Sequence, residues 1–190
     1  MAEVNGVLLK GWLRFLTEHF GAQAVATANR GLEAKDQQLL DAGFIPTIWY
    51  PWEAMHAMRR LTGTLAATAR GDTSLAVEIG RAMSQDAFTG AYRRMLEKDP
   101  ARQVAKMPVT VDLFFRETRT LEAEMLDGSS CAVRYIYQQG ASPSRGICAS
   151  IAGYWAQTLE LAGANSVTFA HPRCVSEGGP VCDFRFRWRT

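Results

Sequence analysis

The chain has 190 residues, of which 47% are hydrophobic and 21% charged, with a formal net charge of +2. That length is enough for one self-sufficient core, and the near-neutral balance excludes the broad basic field of a nucleic-acid binder. No apolar run approaches the roughly 20 residues needed to span a bilayer. The opening segment carries Glu3 and Lys10 in an amphipathic pattern that does not read as a secretion signal. The expectation is therefore a cytoplasmic protein, whose four cysteines are reduced thiols or metal ligands rather than disulfides.

The first half has helical period. Val4, Leu8, Leu9, Trp12, Leu13, Phe15, Leu16 and Phe20 form an apolar stripe that Gly21 ends. Short helices are expected over Ala22–Asn29 and Ala34–Leu40. Pro46 and Pro51 break the pattern, so Ile45–Tyr50 reads as extended, and Pro51 suits the first turn of a helix running to about Ala69. Asp72 or Thr73 then caps a long helix to about Lys98. Asp99 and Pro100 start another, interrupted at Pro108.

The period changes in the second half. "TLEAEMLDGSSCAVRYIY" holds two alternating segments around Asp127-Gly128, a hairpin signal. Ser142 as cap, Pro143 at the first helical position and Gly163 as terminator frame a helix. "NSVTFAH" and "VCDFRFRWR" are strands, the latter with Cys182, Phe184, Phe186 and Trp188 on one face and Asp183, Arg185, Arg187 and Arg189 on the other. The expected class is α+β: a single domain over 1–190, with a mostly helical part (1–116) covering an antiparallel sheet in a β-β-α-β-β unit (117–190). The arginine stripe reads as the solvated face of an edge strand.

Strand alternation puts His171 and Cys182 at the same end of the last hairpin, and Cys174 begins its turn. Cys148 shares the apolar stripe of the preceding helix with Ile151, Ala152, Trp155 and Leu159 and so points at the sheet. Three thiols and an imidazole in one place suit tetrahedral zinc, with sulfur at about 2.3 Å and nitrogen at about 2.0 to 2.1 Å. Four protein ligands leave no open position, so such a metal is structural. Two other readings stay open on these residues: Cys148 and Cys182 as small buried hydrophobes, and a Cys174–Cys182 disulfide. Cys131 reads as a core residue that could replace His171 as a ligand.

The segment "GYWAQTLELAGANSVTFAHPRCVSEGGPVCDFRFRW" resembles the end of the 4-vinyl reductase (V4R) domain, in which a helix with a Gly-Tyr start leads to a strand, a cysteine and then G-x-x-C-x-F. The matching positions are Gly153, Tyr154, Cys174, Gly179, Cys182 and Phe184. That domain belongs to a superfamily of ligand-binding α+β domains that includes haem-type nitric-oxide sensors and vesicle-tethering subunits. The resemblance implies a zinc held by Cys148, Cys174 and Cys182, with His171 where the family places an acidic ligand. The N-terminal half resembles a family of uncharacterised myxobacterial paralogues, through Trp49, Tyr50, Pro51, Gly71, Asp72, Gly80 and Arg81.

The superfamily implies a homodimer enclosing an apolar pocket for a small apolar or aromatic molecule, and a separate output protein. The pocket candidates are Trp49, Tyr50, Trp52, Met55, Phe114, Phe115 and Trp155, with Phe44 beside them; as bare residues these read first as core. The Tyr-x-Ser-x-Arg motif of the haem sensors does not occur at "YQQGASPSR", and His56 is the one histidine near the cluster, so haem is not expected. No nucleotide fingerprint, nucleophile triad or pair of acids placed for proton transfer is found, so the expected role is a sensing or adaptor module in bacterial signalling rather than an enzyme. The alternatives are an assembly scaffold without ligand and an accessory enzyme of tetrapyrrole or aromatic metabolism.

Overall fold

In the computed structural model, which describes residues 2–66, 74–138 and 143–189, the N-terminal stripe is buried along one side of α1 (Gly6–Phe20), with Leu8, Leu9, Trp12 and Leu16 at most 3% exposed. The buried side chain of Asn5 caps α1, accepting a hydrogen bond from the Val7 N–H at 3.0 Å. Val4 departs from the expected helix. It lies in a short strand, β1 (Glu3–Asn5), which is flanked by β2 (Trp49–Pro51) and β3 (Phe115–Arg116) in a small antiparallel sheet. Two short helices, α2 (Ala22–Arg30) and α3 (Ala34–Asp41), follow α1 as expected.

Pro51 is not in a helix. It closes β2 opposite Glu3, a position where its missing N–H costs nothing, and the Trp52 N–H continues the ladder to Ala2 O at 3.0 Å. Helix α4 (Glu53–Leu65) starts two residues later. The expected stop at Ala69, the caps Asp72 and Thr73, Gly71 and the cap Ser142 lie outside the described residues.

Helix α5 (Ser74–Thr89) stops well short of Lys98. The Tyr92 N–H reaches back to Ala87 O at 2.9 Å, and the Tyr92 ring packs edge-on against Phe114 at 4.9 Å, which turns the chain off the helix axis. Helix α6 (Pro100–Asp112) begins as expected, with Asp99 accepting from the Arg102 N–H at 2.8 Å. Pro108 sits inside it without ending it, because buried Met107 and Val111 on either side hold the helix to the core.

Four strands, β4 (Arg119–Asp127), β5 (Ser130–Tyr137), β6 (Asn165–Arg173) and β7 (Cys182–Arg189), form one antiparallel sheet in the order β4-β5-β7-β6. The Asp127 side chain closes the β4–β5 turn by accepting from the Ser129 N–H at 2.8 Å. Strand β7 is thus an interior strand, not an edge. Its outer face is not wholly solvated either: Asp183 is 2% exposed and accepts from Arg173 at 3.0 Å and Arg185 at 3.2 Å.

Helix α7 (Arg145–Leu161) is capped by Ser144, two residues after the expected cap, so Pro143 precedes the helix. It is buried on almost every side, from Ile147 to Leu159, because it packs on α5 on one side and on β6 and β7 on another. The helical part and the sheet therefore share one core around α7. Among the described residues no helix is long and apolar enough to cross a membrane.

Candidate functional site

The end of the β6–β7 hairpin carries the sulfurs. Cys182 is the first residue of β7, buried on the face it shares with Phe184 and Phe186. Cys174 follows β6 and opens a tight 3-10 turn, Val175–Glu177, closed by bonds from the Glu177 and Gly179 N–H groups to Cys174 O at 3.1 and 2.9 Å. Gly178, at φ 85°, completes this reversal in the left-handed region. Gly179 packs so closely that a Cβ there would lie 2.9 Å from Cys174 O. From the other side α7 brings Cys148, 1% exposed.

A register shift in β6 between Ala170 and Arg173 inserts one extra residue opposite β7. His171 falls at this bulge. Its ring stacks flat on Phe184, 4.1 Å between centroids, and its buried Nε2 has no hydrogen-bond partner. The donor atoms of Cys148, His171, Cys174 and Cys182 all lie within 4.8 Å of one another, so the four can hold a metal ion.

The sulfur spacings are 3.6 Å for Cys148–Cys182, 3.6 Å for Cys148–Cys174 and 3.9 Å for Cys174–Cys182. Thiolates about 2.3 Å from a tetrahedral centre stand about 3.8 Å apart. A disulfide needs about 2.05 Å, and all four cysteines are free. The hydrogen bond to the Cys148 thiol, with help from His171 and the Val175 N–H, pulls the Cys182 thiol well below the ordinary cysteine range. Thiolate is the form that ligates metal.

Cys131 is not part of this cluster. It stands opposite Phe186, four residues along β5 from Tyr135, the residue opposite Cys182, or about 13 Å away at strand rise. Burial pushes its thiol up to about 12, which makes it an inert core group.

Tyr135 leads from the cysteine–histidine cluster to a second feature. As the cross-strand partner of Cys182 it lies on the same sheet face, and its hydroxyl accepts from Trp155 Nε1 at 2.5 Å. Both rings line a narrow cavity of about 30 Å³, bounded also by Leu8, Met55, Met83 and Phe114. Burial pushes the Tyr135 hydroxyl up to about 12 and holds that of Tyr154, another wall residue, well above its ordinary value, so both are neutral.

Of the residues expected in a pocket, Met55, Phe114, Phe115 and Trp155 line this cavity. Trp52 is buried next to it, edge-on to Phe115 at 6.1 Å. Trp49 lies under the Arg116 guanidinium at 3.8 Å, and Phe44 packs edge-on to Tyr50 at 5.1 Å. Tyr50 lines a separate open cleft with Asp36, His56 and Arg60. Burial lowers the His56 pKa there, so its ring is held neutral.

The pocket candidates omitted Arg119, a cavity-lining residue that is 6% exposed. Its guanidinium lies 3.6 Å over the Phe115 ring and within 5.4 Å of the rings of Trp52, Tyr135 and Tyr137. A signal was present: Arg119 occupies the same alternation phase as Leu121, the buried phase of β4.

No protein-family model matches the chain, and no curated protein sequence matches it. Solved structures do match, over nearly the whole length. An H-NOX protein from S. oneidensis in the Fe(II)NO ligation state superposes with a TM-score of 0.75 at 12% identity, covering 98% of this chain and 99% of that one. An Fe(II) unliganded H-NOX protein from K. algicida gives 0.70 at 16% identity, covering 98% and 97%. A mutant of the T. tengcongensis H-NOX gives 0.69 at 11% identity, covering 98% of each chain. At these identities the likeness is one of fold. The likeness to H-NOX structures runs from end to end of the chain.

Proposed function

We propose that the protein is a small-molecule-sensing module of H-NOX-like fold, V4R-like in its C-terminal part, with a structural zinc and a ligand cavity served by one helix. The observation that carries this reading is the position of α7. Cys148 on that helix reaches the metal cluster, while Ile151, Tyr154 and Trp155 wall the cavity. The Cys182–Tyr135 pair and the Tyr135–Trp155 hydrogen bond join the two features. A ligand that moves Trp155 or Tyr154 therefore acts on the element that also anchors the β6–β7 turn.

Zinc fits the donor set. Three cysteine sulfurs at tetrahedral spacing and one imidazole with an unpaired buried nitrogen are the ligands of a closed structural site. Such an ion ties the hairpin to α7 and leaves no coordination position for substrate.

Haem, which the H-NOX likeness brings to mind, does not fit. Haem and drug-sized ligands need pockets of roughly 300 Å³ or more, and this cavity is about 30 Å³ with no histidine or cysteine in its wall. His56 faces the separate cleft. The ligand read from this cavity is a small molecule bound without haem, and its binding is passed to a second copy of the chain and to a separate output protein.

Native mass spectrometry with elemental analysis tests the reading: one zinc per chain and a dimeric mass are expected. A thermal-unfolding screen of small neutral and anionic compounds tests sensing, since a ligand at 100 times its Kd adds about 2.7 kcal/mol. Shifts from none of them favour an assembly scaffold with an unused cavity.

A further inference from the structure

We propose that the cavity recognises a short-chain organic carboxylate and that Arg119 is the residue that binds it. The inference rests on the sensing reading above and gives its ligand a chemical class.

The argument starts from the edge of a guanidinium. Arg14 and Arg60 each present Nε and Nη2 to the two oxygens of one carboxylate, Asp86 and Asp36 respectively. This chain thus uses the same side-on fork twice to hold a carboxylate. In Arg119 the same two nitrogens, Nε and Nη2, are buried and have no hydrogen-bond partner. Among the described residues, its side-chain hydrogen bond runs from the remaining nitrogen, Nη1, to the Tyr137 hydroxyl at 3.3 Å. The surrounding rings stabilise its charge through their faces but offer the fork nothing to bind.

Tyr154 borders the cavity, and its buried hydroxyl is also without a partner. A planar two-oxygen anion satisfies the fork and still has lone pairs for this hydroxyl. The rest of the wall is apolar, chiefly Leu8, Met55, Met83, Val111 and Ile151. A volume of about 30 Å³ leaves room only for a small ligand. These features together select a carboxylate on a very short alkyl chain, such as acetate or propionate, over a bare inorganic anion and over a bulky acid.

The test is thermal unfolding of the full metal-loaded chain with sodium acetate or propionate. Sodium chloride and sodium nitrate at equal ionic strength, propionamide, and a set of small neutral apolar compounds serve as comparisons. Propionate is expected to give a saturable rise in Tm that neither chloride, nitrate nor propionamide reproduces. Arg119→Gln should abolish it. Arg119→Lys, which keeps the charge without the fork, should weaken it at least tenfold, and it serves if the glutamine variant does not fold. An equal shift with nitrate, chloride or propionamide overturns the proposal, as does a propionate shift that survives Arg119→Gln. A shift with neutral compounds and none with carboxylates overturns the carboxylate assignment and leaves the sensing reading standing. No shift with any compound, the result if water alone fills the site, overturns both.

Discussion

Gly80 on α5 and Gly153 on α7 are reciprocal contacts: a Cβ on Gly80 would lie 1.9 Å from Ser150 O, and one on Gly153 would lie 2.1 Å from Val77 O. The obstacles are backbone atoms, which cannot swing aside as a side chain can. The helices therefore cross with their main chains touching. Arg81 secures the crossing by reaching Glu160 at 2.6 Å and Gln157 at 3.1 Å, and Ser84 and Thr158 hydrogen-bond across it at 2.8 Å.

Gly153→Ala sets two effects against each other. Alanine favours a helix interior by about 1 kcal/mol over glycine, whereas forcing a methyl into a filled space costs about 1–3 kcal/mol. With 2.1 Å to a carbonyl oxygen the clash should win, and chemical denaturation should show a net loss. Gly63→Ala on α4, where a Cβ meets nothing within 4 Å, is the control and should gain about 0.4–1 kcal/mol.

This crossing also shows what was legible from residues alone. Gly80, Arg81 and Gly153 stood out as motif members, yet nothing in their spacing along the chain says that two of them meet. The convergence of Cys148, His171, Cys174 and Cys182 was legible because both periods lead to it: the alternation of β7 places Cys182 and the stripe of α7 places Cys148. The cavity was not, because its wall draws on α1, α4, α5, α6, β3, β4, β5 and α7, and only the tertiary arrangement brings them together. Pro51 and Pro108 misled for a related reason. A proline's local preference is weak against strand pairing with Glu3 in one case and against the buried anchors Met107 and Val111 in the other.

The pair Asp36–Arg60 gives a pH dependence. Asp36 is 1% exposed and accepts both hydrogen bonds of the Arg60 fork, which holds its carboxyl below the ordinary range against the opposing effect of burial. A depressed folded-state pKa contributes stability that is complete above the unfolded value of about 3.9 and is lost as the pH falls through the folded value. Arg60→Ala strands a buried carboxylate and should cost about 1–3 kcal/mol at neutral pH. Denaturation curves of the two proteins should converge as the pH drops below about 3.9. A difference that stays constant down to acid pH would assign the loss to packing of the Arg60 stem instead.

Tyr135→Phe removes the acceptor of the Trp155 indole N–H, in a place where Trp155 is 1% exposed. An unsatisfied buried donor costs about 1–3 kcal/mol. Adding Trp155→Phe removes that donor as well, so in a double-mutant cycle the pair should show a coupling energy of about 1 kcal/mol. Additive losses would mean that the two rings contribute through packing only.

The proposed zinc site makes the largest prediction. Binding free energy at a structural site is linked to folding, because the four ligands come together only in the folded chain. Here they come from α7, from the bulged end of β6, from the turn and from β7. Chelation should therefore lower Tm, and so should Cys182→Ser, which exchanges a thiolate for a poorer ligand at the position that also pairs with Tyr135. Loss of a structural ion belongs to the mechanisms that cost on the order of 4 kcal/mol, roughly 8–16 °C in a chain of this length. The thiol-only control is Cys131→Ser, buried opposite Phe186 and outside the cluster. It should destabilise the core while leaving one zinc per chain, so the zinc content, rather than the size of the Tm loss, separates a ligand from a core cysteine. A Cys182→Ser protein that keeps full zinc after gel filtration would remove Cys182 from the ligand set.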